Sequence, residues 1–439
     1  MRDEDITSSN KGFALVVSRL LDLPVLSRVG LAGCLLAAGG VVALGDLRTE
    51  AGSMLALAAL WSTCAVLAGL TLRDREQLPA AVLLGGVLLR LIVLASPATL
   101  SDDLFRYLWE GRVQLAGMNP FLYAPDSGAL EGLRDATWEA VNHKEVSTIY
   151  PPGALLLFRG AAAVHEAPIT WKLMSGAADV GLMLLLARGC RERGVNAWAP
   201  ALYALLPLPV LESAGSGHLE SIALLCLLAG LVVKPRGWAA FLVGLGGLVK
   251  LLPLLAWWPQ LRRDRRALAG ILGTLVLGAA LTWPLLDAGP TLLRGFTTYA
   301  DTWAFNASFF HLLQWCFEED ARLVGVGIGA VWAGLSAWRR RDPALFVLDV
   351  AAALLLLSPV VHPWYVLWAL VPALLTGRWA WVTLGVTTMA AYAVLVGYDP
   401  AVPGSWSEPE WVVWIEIPPL LAALGLAAWR RRSKGSLPS

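Results

Sequence analysis

Apolar runs of up to about 20 residues, long enough to cross a bilayer, recur along the whole chain and alternate with short polar links. They predict spans at residues 29–45, 53–71, 80–96, 171–188, 197–211, 221–233, 267–286, 324–338, 345–359, 364–376, 379–396 and 411–429, about twelve crossings. Two runs break the alternation. Residues 151–164 are apolar but short, which suits a half-span. Residues 238–258 are long enough to cross, yet Lys234 and Arg236 precede them and Arg262, Arg263, Arg265 and Arg266 follow. Both ends want the same side of the membrane, and Gly246, Gly247, Lys250 and Pro253 interrupt the middle, so this run reads as a re-entrant hairpin. The predicted fold is an all-α polytopic membrane protein with re-entrant half-helices and a large first outer loop.

Basic links set the expected sidedness. Arg73 and Arg75, the Arg188–Arg191–Arg193 group, Arg339–Arg341 and the terminal RRRSK fall on alternate links, which places them in the cytoplasm. The expectation is a cytoplasmic tail over residues 1–28, one integral domain over 29–429 and a cytoplasmic basic tail over 430–439. The first apolar run then acts as an uncleaved anchor. Residues 97–150, 287–322 and 399–410 become outer loops, and residues 134–150 read as an amphipathic helix along the membrane surface.

Composition agrees: 57% of the residues are hydrophobic and 15% charged. A net charge of +1 gives no footprint for nucleic acid. The five cysteines have no metal or disulfide spacing and read as small hydrophobes. Neither a Walker loop nor GxSxG is present, which argues against ATP-driven transport and serine hydrolysis. No HExxH, HxH or DxD spacing among the candidate residues supports a metal site, so none is predicted, although a divalent cation is compatible with the chemistry below.

The candidate chemistry lies in Ser101 to Pro120, SDDLFRYLWEGRVQLAGMNP, directly after the third predicted span. Spacing of three and four puts Asp103, Arg106 and Tyr107 on one side of a helical turn. A carboxylate beside a guanidinium at a bilayer surface suits an acid/base group next to a phosphate-binding group. The plainer alternative is a surface Asp–Arg pair capping a helix. Sidedness adds weight to the first reading: Asp102, Asp103, Arg106, Glu212, His218, Glu220, His311 and His362 all map to predicted outer ends or loops, and ionisable groups at membrane depth are costly enough to imply use. The tryptophans near those ends, Trp109, Trp303, Trp364, Trp368 and Trp411, fit an interfacial belt or sugar stacking.

Taken in order, SDDLFRYLWEGRVQLAGMNPFLYAP, IYPPGALLLF, ESAGSGHLE and SPVVHPWYVLW resemble the polyprenol-phosphate-mannose-dependent mannosyltransferases of bacteria, within the membrane-embedded C-type (GT-C) glycosyltransferase superfamily. That resemblance implies an inverting hexosyltransferase, most readily of mannose, taking its sugar from a polyprenyl-phosphate donor at the outer face of the plasma (inner) membrane. The acceptor would be a glycan, glycolipid or protein. By position, Asp103 is the implied general base with Asp102 second, and Arg106 contacts the donor phosphate. Tyr150 stands where related transferases have lysine, leaving Lys144 or Lys172 as a second phosphate contact. Tyr107, Glu110, Tyr150, Glu212, His218, Glu220, His362 and Trp364 are the implied sugar and acceptor contacts, with Glu220 in place of the family aspartate. From another class, a secondary transporter or flippase of lipid-linked sugars would also be polytopic. Transporters usually place their charges near the midplane between inverted halves, and this chain shows neither.

Overall fold

A computed structural model describes residues 22–435 apart from residues 234, 308, 400, 401 and 403. Every regular element among the described residues is helical, and one isolated backbone bridge joins Phe305 and Val360. Helices α1 (Val25–Leu44) and α2 (Ala51–Leu70) pack as a hairpin, followed by α3 (Ala80–Val93). After α3 comes α4 (Asp103–Leu115), then a polar loop, then α5 (Pro152–His165) and the long α6 (Pro168–Glu192). Helix α7 (Trp198–Leu205) leads through Pro207–Val210 and a single π turn, Leu211–Gly215, into α8 (Glu220–Val232). The bend there is 115°.

Helices α9 (Arg236–Val249) and α10 (Trp257–Arg263) flank a break at Lys250 and a 3₁₀ turn, Leu252–Ala256. These are the two arms of the predicted hairpin. Helix α11 (Ala267–Thr282) follows, then α12 (Arg294–Thr302), α13 (Phe310–Phe317), α14 (Ala321–Arg339), α15 (Pro343–Leu357), α16 (Leu367–Leu375) and α17 (Trp411–Gly435).

Among the described residues, six helical stretches are long and apolar enough to cross a membrane, and the bent pair around the π turn makes a seventh. Five shorter apolar helical stretches accompany them. The chain is a polytopic integral membrane protein. Leu36, Val276, Leu323 and Val331 are exposed on these helices, as lipid-facing side chains should be.

Three expectations change. Residues 134–150 hold only a four-residue helical turn, Ala136–Glu139, because Asp135 caps it and His143 adopts a positive φ of 45° shortly afterwards. The amphipathic helix of this region is α4 instead. Residues 287–322 are largely helical: α11 continues through a kink at Gly289 and Pro290 into α12. Residues 379–395 form short turns, Trp379–Trp381, Val382–Thr387 and Thr388–Leu395, in place of one regular span.

Lipid tails are as apolar as leucine, so close backbone approach and polar pairing must hold the bundle. Gly111 shows the first. A Cβ there would lie 2.4 Å from the Phe158 carbonyl oxygen, so α4 and α5 touch backbone to backbone. A buried ion pair shows the second. Arg90 of α3 meets Asp179 of α6 at 2.6 Å, donates to the carbonyls of Gly86 (2.9 Å) and Ala204 (3.0 Å), and the Tyr203 hydroxyl donates to Asp179.

Contacts between connecting segments respect the alternation of the spans. At one end, Arg193 pairs with Asp342 at 2.7 Å, Asn196 donates to the Arg73 carbonyl and Arg262 donates to the Trp338 carbonyl at 3.3 Å. At the other, the Leu47 amide donates to Thr99 (2.8 Å), Asn119 to Asp287 (2.5 Å) and the Phe305 amide to the Pro359 carbonyl (2.9 Å). The basic links therefore share one end of the bundle. The Ser101–Pro120 motif lies at the other.

Candidate active site

A cavity of about 730 Å³ opens at that second end, large enough for a lipid headgroup with its sugar. Asp102 and Asp103 line it at the start of α4, where the Asp103 amide donates to the Ser101 hydroxyl at 3.3 Å. Asp102 is held by Arg48 of the α1–α2 link at 2.5 Å. Asp103, about a quarter exposed, has no such clamp: the nearest basic side chain is His218, with Nε2 at 3.9 Å from Oδ2.

Helix α4 sends its other motif side chains elsewhere. Arg106 donates from Nε to Glu110 at 2.7 Å and from its Nη atoms to the carbonyls of His143 (3.2 Å) and Val146 (2.5 Å). It lines the cavity but is largely engaged in folding the loop that follows. Glu110 is fully buried and accepts from Thr148 at 2.6 Å; burial lifts its carboxyl above the usual range against the pull of Arg106 and Thr148. Tyr107 stacks on Phe158 at 4.8 Å and meets Tyr150 and Trp171 edge-on, away from the cavity. One helical side thus divides, with Asp103 to the cavity and Tyr107 to the core.

Lys250 is the cation that the sequence reading passed over as a mere interruption. The break between the arms of the hairpin brings its ammonium into the cavity wall, 2.9 Å from the buried Glu220. A lone lysine between glycines and a proline inside an apolar run was the available signal. Lys144 and Lys172 lie outside the lining. Lys144 donates to the carbonyls of Glu139 and Val141 and covers the Trp138 ring, while the buried Lys172 donates to those of Leu94 and Ser96.

Aromatic rings make the walls: Tyr150, Trp303, Trp364 and Trp406 among them, with the Tyr299 and Tyr365 hydroxyls 2.8 Å apart. His362 is stacked between Phe305 (4.9 Å) and Trp364 (4.4 Å). Burial, with help from the charges of His218 and Lys250, pushes its imidazole down to about 3, so it is neutral at ordinary pH. Behind Trp364 lies a buried layer. His218 stacks on Trp364 at 3.7 Å and approaches Glu212 with Nδ1 at 2.9 Å, and Tyr392 donates to Glu212 at 2.8 Å. Of the predicted site residues, Asp102, Asp103, Arg106, Tyr150, His362 and Trp364 therefore line the cavity, Glu212, His218 and Glu220 back it, and the rest do not reach it. Among the described residues, no three His, Cys, Asp or Glu side chains are grouped to hold a metal ion.

The loop that seats His218 depends on Gly217. Its φ is +76°, and a Cβ there would meet Trp171 at 2.9 Å and Leu104 at 3.0 Å.

A helical membrane protein with an unclamped carboxylate, a lysine ammonium and aromatic walls around one cavity has the equipment for handling a sugar. Comparison with known proteins points the same way. Residues 148–359 match the model of glycosyltransferase family 87. The chain is 24% identical over 383 residues to alpha-(1->6)-mannopyranosyltransferase B of Corynebacterium glutamicum, an alignment covering 71% of this chain. The chain spans 62% of the length of that relative. These matches bear out the resemblance to bacterial mannosyltransferases of the GT-C type. No solved structure matches the chain.

Proposed function

We propose that this protein is an inverting glycosyltransferase that moves mannose, or a closely similar hexose, from a polyprenyl-phosphate carrier to an acceptor at the extracytoplasmic face of the plasma membrane. The observation that carries the reading is the contrast between two neighbouring carboxylates: Asp102 is clamped by Arg48, whereas Asp103 faces an aromatic-walled cavity with no basic side chain closer than 3.9 Å. A general base must be free to meet the proton that it removes.

In the reaction the acceptor oxygen bonds to the sugar's anomeric carbon as the bond to the carrier phosphate breaks, and the acceptor proton passes to Asp103. The departing phosphate gains charge and needs a preorganised cation. Lys250 suits that task best, since it reaches the cavity on a flexible stem from a single ion pair. Arg48 and the free N–H groups of Arg106 complete the positive side, and the tryptophan faces suit the sugar ring. The name of the corynebacterial relative carries an α-(1->6) linkage, which suggests a 6-hydroxyl as the acceptor group.

The test is transfer of labelled mannose from polyprenyl-phosphate-mannose to octyl α-mannoside by wild type, Asp103→Asn and Asp102→Asn at equal expression. Wild type is expected to transfer, and Asp103→Asn to lose about 10²- to 10⁴-fold, the range of general-base catalysis. A dead Asp102→Asn beside an active Asp103→Asn would move the base by one residue. Inactivity of wild type with every lipid-phosphate sugar would sink the reading.

A further inference from the structure

His218 was expected to touch sugar or acceptor, yet it is 1% exposed and Trp364 covers its ring. Its place is fixed from every side. It lies in the short break between the π turn and α8, with its amide donating to the Glu212 carbonyl at 2.9 Å. Its own carbonyl accepts from Ser175 at 2.8 Å, and the preceding Gly217 carbonyl accepts from the Trp171 indole at 2.5 Å. Those bonds fix the backbone, and the stack on Trp364 sets the plane of the ring. Nδ1 lies 2.9 Å from Glu212 Oε2 and Nε2 3.9 Å from Asp103 Oδ2, and both ring nitrogens are buried without a well-formed hydrogen bond. Unpartnered buried nitrogens are costly, and one near the free carboxylate of a cavity calls for a use.

We propose that His218 is the positioning residue for Asp103, orienting its carboxylate and sharing the proton it receives, with Glu212 and Tyr392 as the support behind. This rests on Asp103 being the base. A proton on Nδ1, facing Glu212, leaves Nε2 as the atom turned toward Asp103, as in other carboxylate–histidine relays. The proton taken from the acceptor hydroxyl moves to Asp103 and is then shared with Nε2, while the sugar–phosphate bond electrons leave with the phosphate. The imidazolium so formed lies against Glu212, which is 0% exposed and anchored by the Tyr392 hydroxyl at 2.8 Å. The gap of 3.9 Å closes when substrate draws the half-free Asp103 inward, since catalytic hydrogen bonds are commonly long without substrate. Other groups near the imidazole are Glu220 on α8 and His362 on the facing turn.

The experiment is the same mannose transfer by purified full chain in detergent, followed from pH 5 to 9 for wild type, His218→Gln, Tyr392→Phe and Asp103→Asn. His218→Gln is expected to lower kcat about 100-fold with donor KM changed by about twofold or less, and to remove one limb of the kcat profile. Tyr392→Phe, which keeps the ring and removes only the hydroxyl to Glu212, is expected to lower kcat several-fold and shift the same limb. It decides the matter if His218→Gln does not fold. A wild-type kcat and pH profile in both variants, or a loss confined to KM, overturns the inference while Asp103→Asn remains inactive. Should Asp103→Asn itself keep full activity, the assignment of the base fails first and takes this inference with it.

Discussion

Each cation near the cavity has a different attachment, and substitutions should separate them. Lys250→Ala removes a charged contact to the donor phosphate and is expected to raise donor KM roughly 10- to 100-fold, the equivalent of about 1.4–3 kcal/mol. Lys250→Arg should recover part of it. Lys144→Ala, outside the lining, should leave KM unchanged; a large rise there would restore Lys144 to the donor site. His362 allows a pH prediction. Its folded value near 3 lies below the ordinary 6.5, so between those values the unfolded chain binds a proton that the native one does not. Stability is therefore lost as pH falls from 6.5 toward 3. His362→Gln should make the thermal midpoint less dependent on pH over that window, as read by melting in detergent at pH 7, 6 and 5; an unchanged slope would contradict the neutral, stacked imidazole. From the sequence, Asp103 was preferred to Asp102 for its spacing to Arg106 and Tyr107 and for the resemblance that spacing carries. What could not be read is that Asp102 would be captured by Arg48, which lies 54 positions earlier in a short link.

At the scale of elements, α3 and α6 are joined through Arg90 and Asp179, both essentially unexposed. Asp179→Leu leaves the guanidinium charge buried beside carbonyls alone and is expected to cost about 3–5 kcal/mol. The double variant Arg90→Met with Asp179→Leu should recover most of the loss, measured as melting temperature or surviving folded fraction in detergent. If the double variant is no better than the single, the helices need the charges for something besides mutual satisfaction. Neither residue stood out in the sequence, because each is a single charge in a long apolar run and their partnership crosses 89 positions. Hydropathy showed that the helices exist and in what order. It overreached between residues 134 and 150, where an amphipathic pattern gave way to capping by Asp135 and the left-handed turn at His143. The loop, in turn, owes its path to Arg106 and Glu110, which the motif suggested for substrate.

For the whole molecule, the expected sidedness is open to direct labelling. With the native cysteines replaced, a cysteine at Glu131 should react with a membrane-impermeant maleimide on intact cells, and one at Arg265 only after permeabilisation. Equal labelling of both on intact cells would contradict the orientation. The separation of basic links from the motif was legible because positive charge alternates with the spans, and the contacts at each end of the bundle agree with it. Less legible was the depth of the cavity floor. Helix α9 has fourteen residues, which carries the chain at most about 21 Å from its basic end before Lys250 turns into the wall. A bilayer core is about 30 Å thick, so with the helix starting at one surface the lysine would stand at least about a third of the way below the other. If the carrier phosphate meets it there, the site is a well rather than a ledge. Whatever receives the sugar must be lowered into it, which favours the slender free end of a linear chain and turns away a branch point.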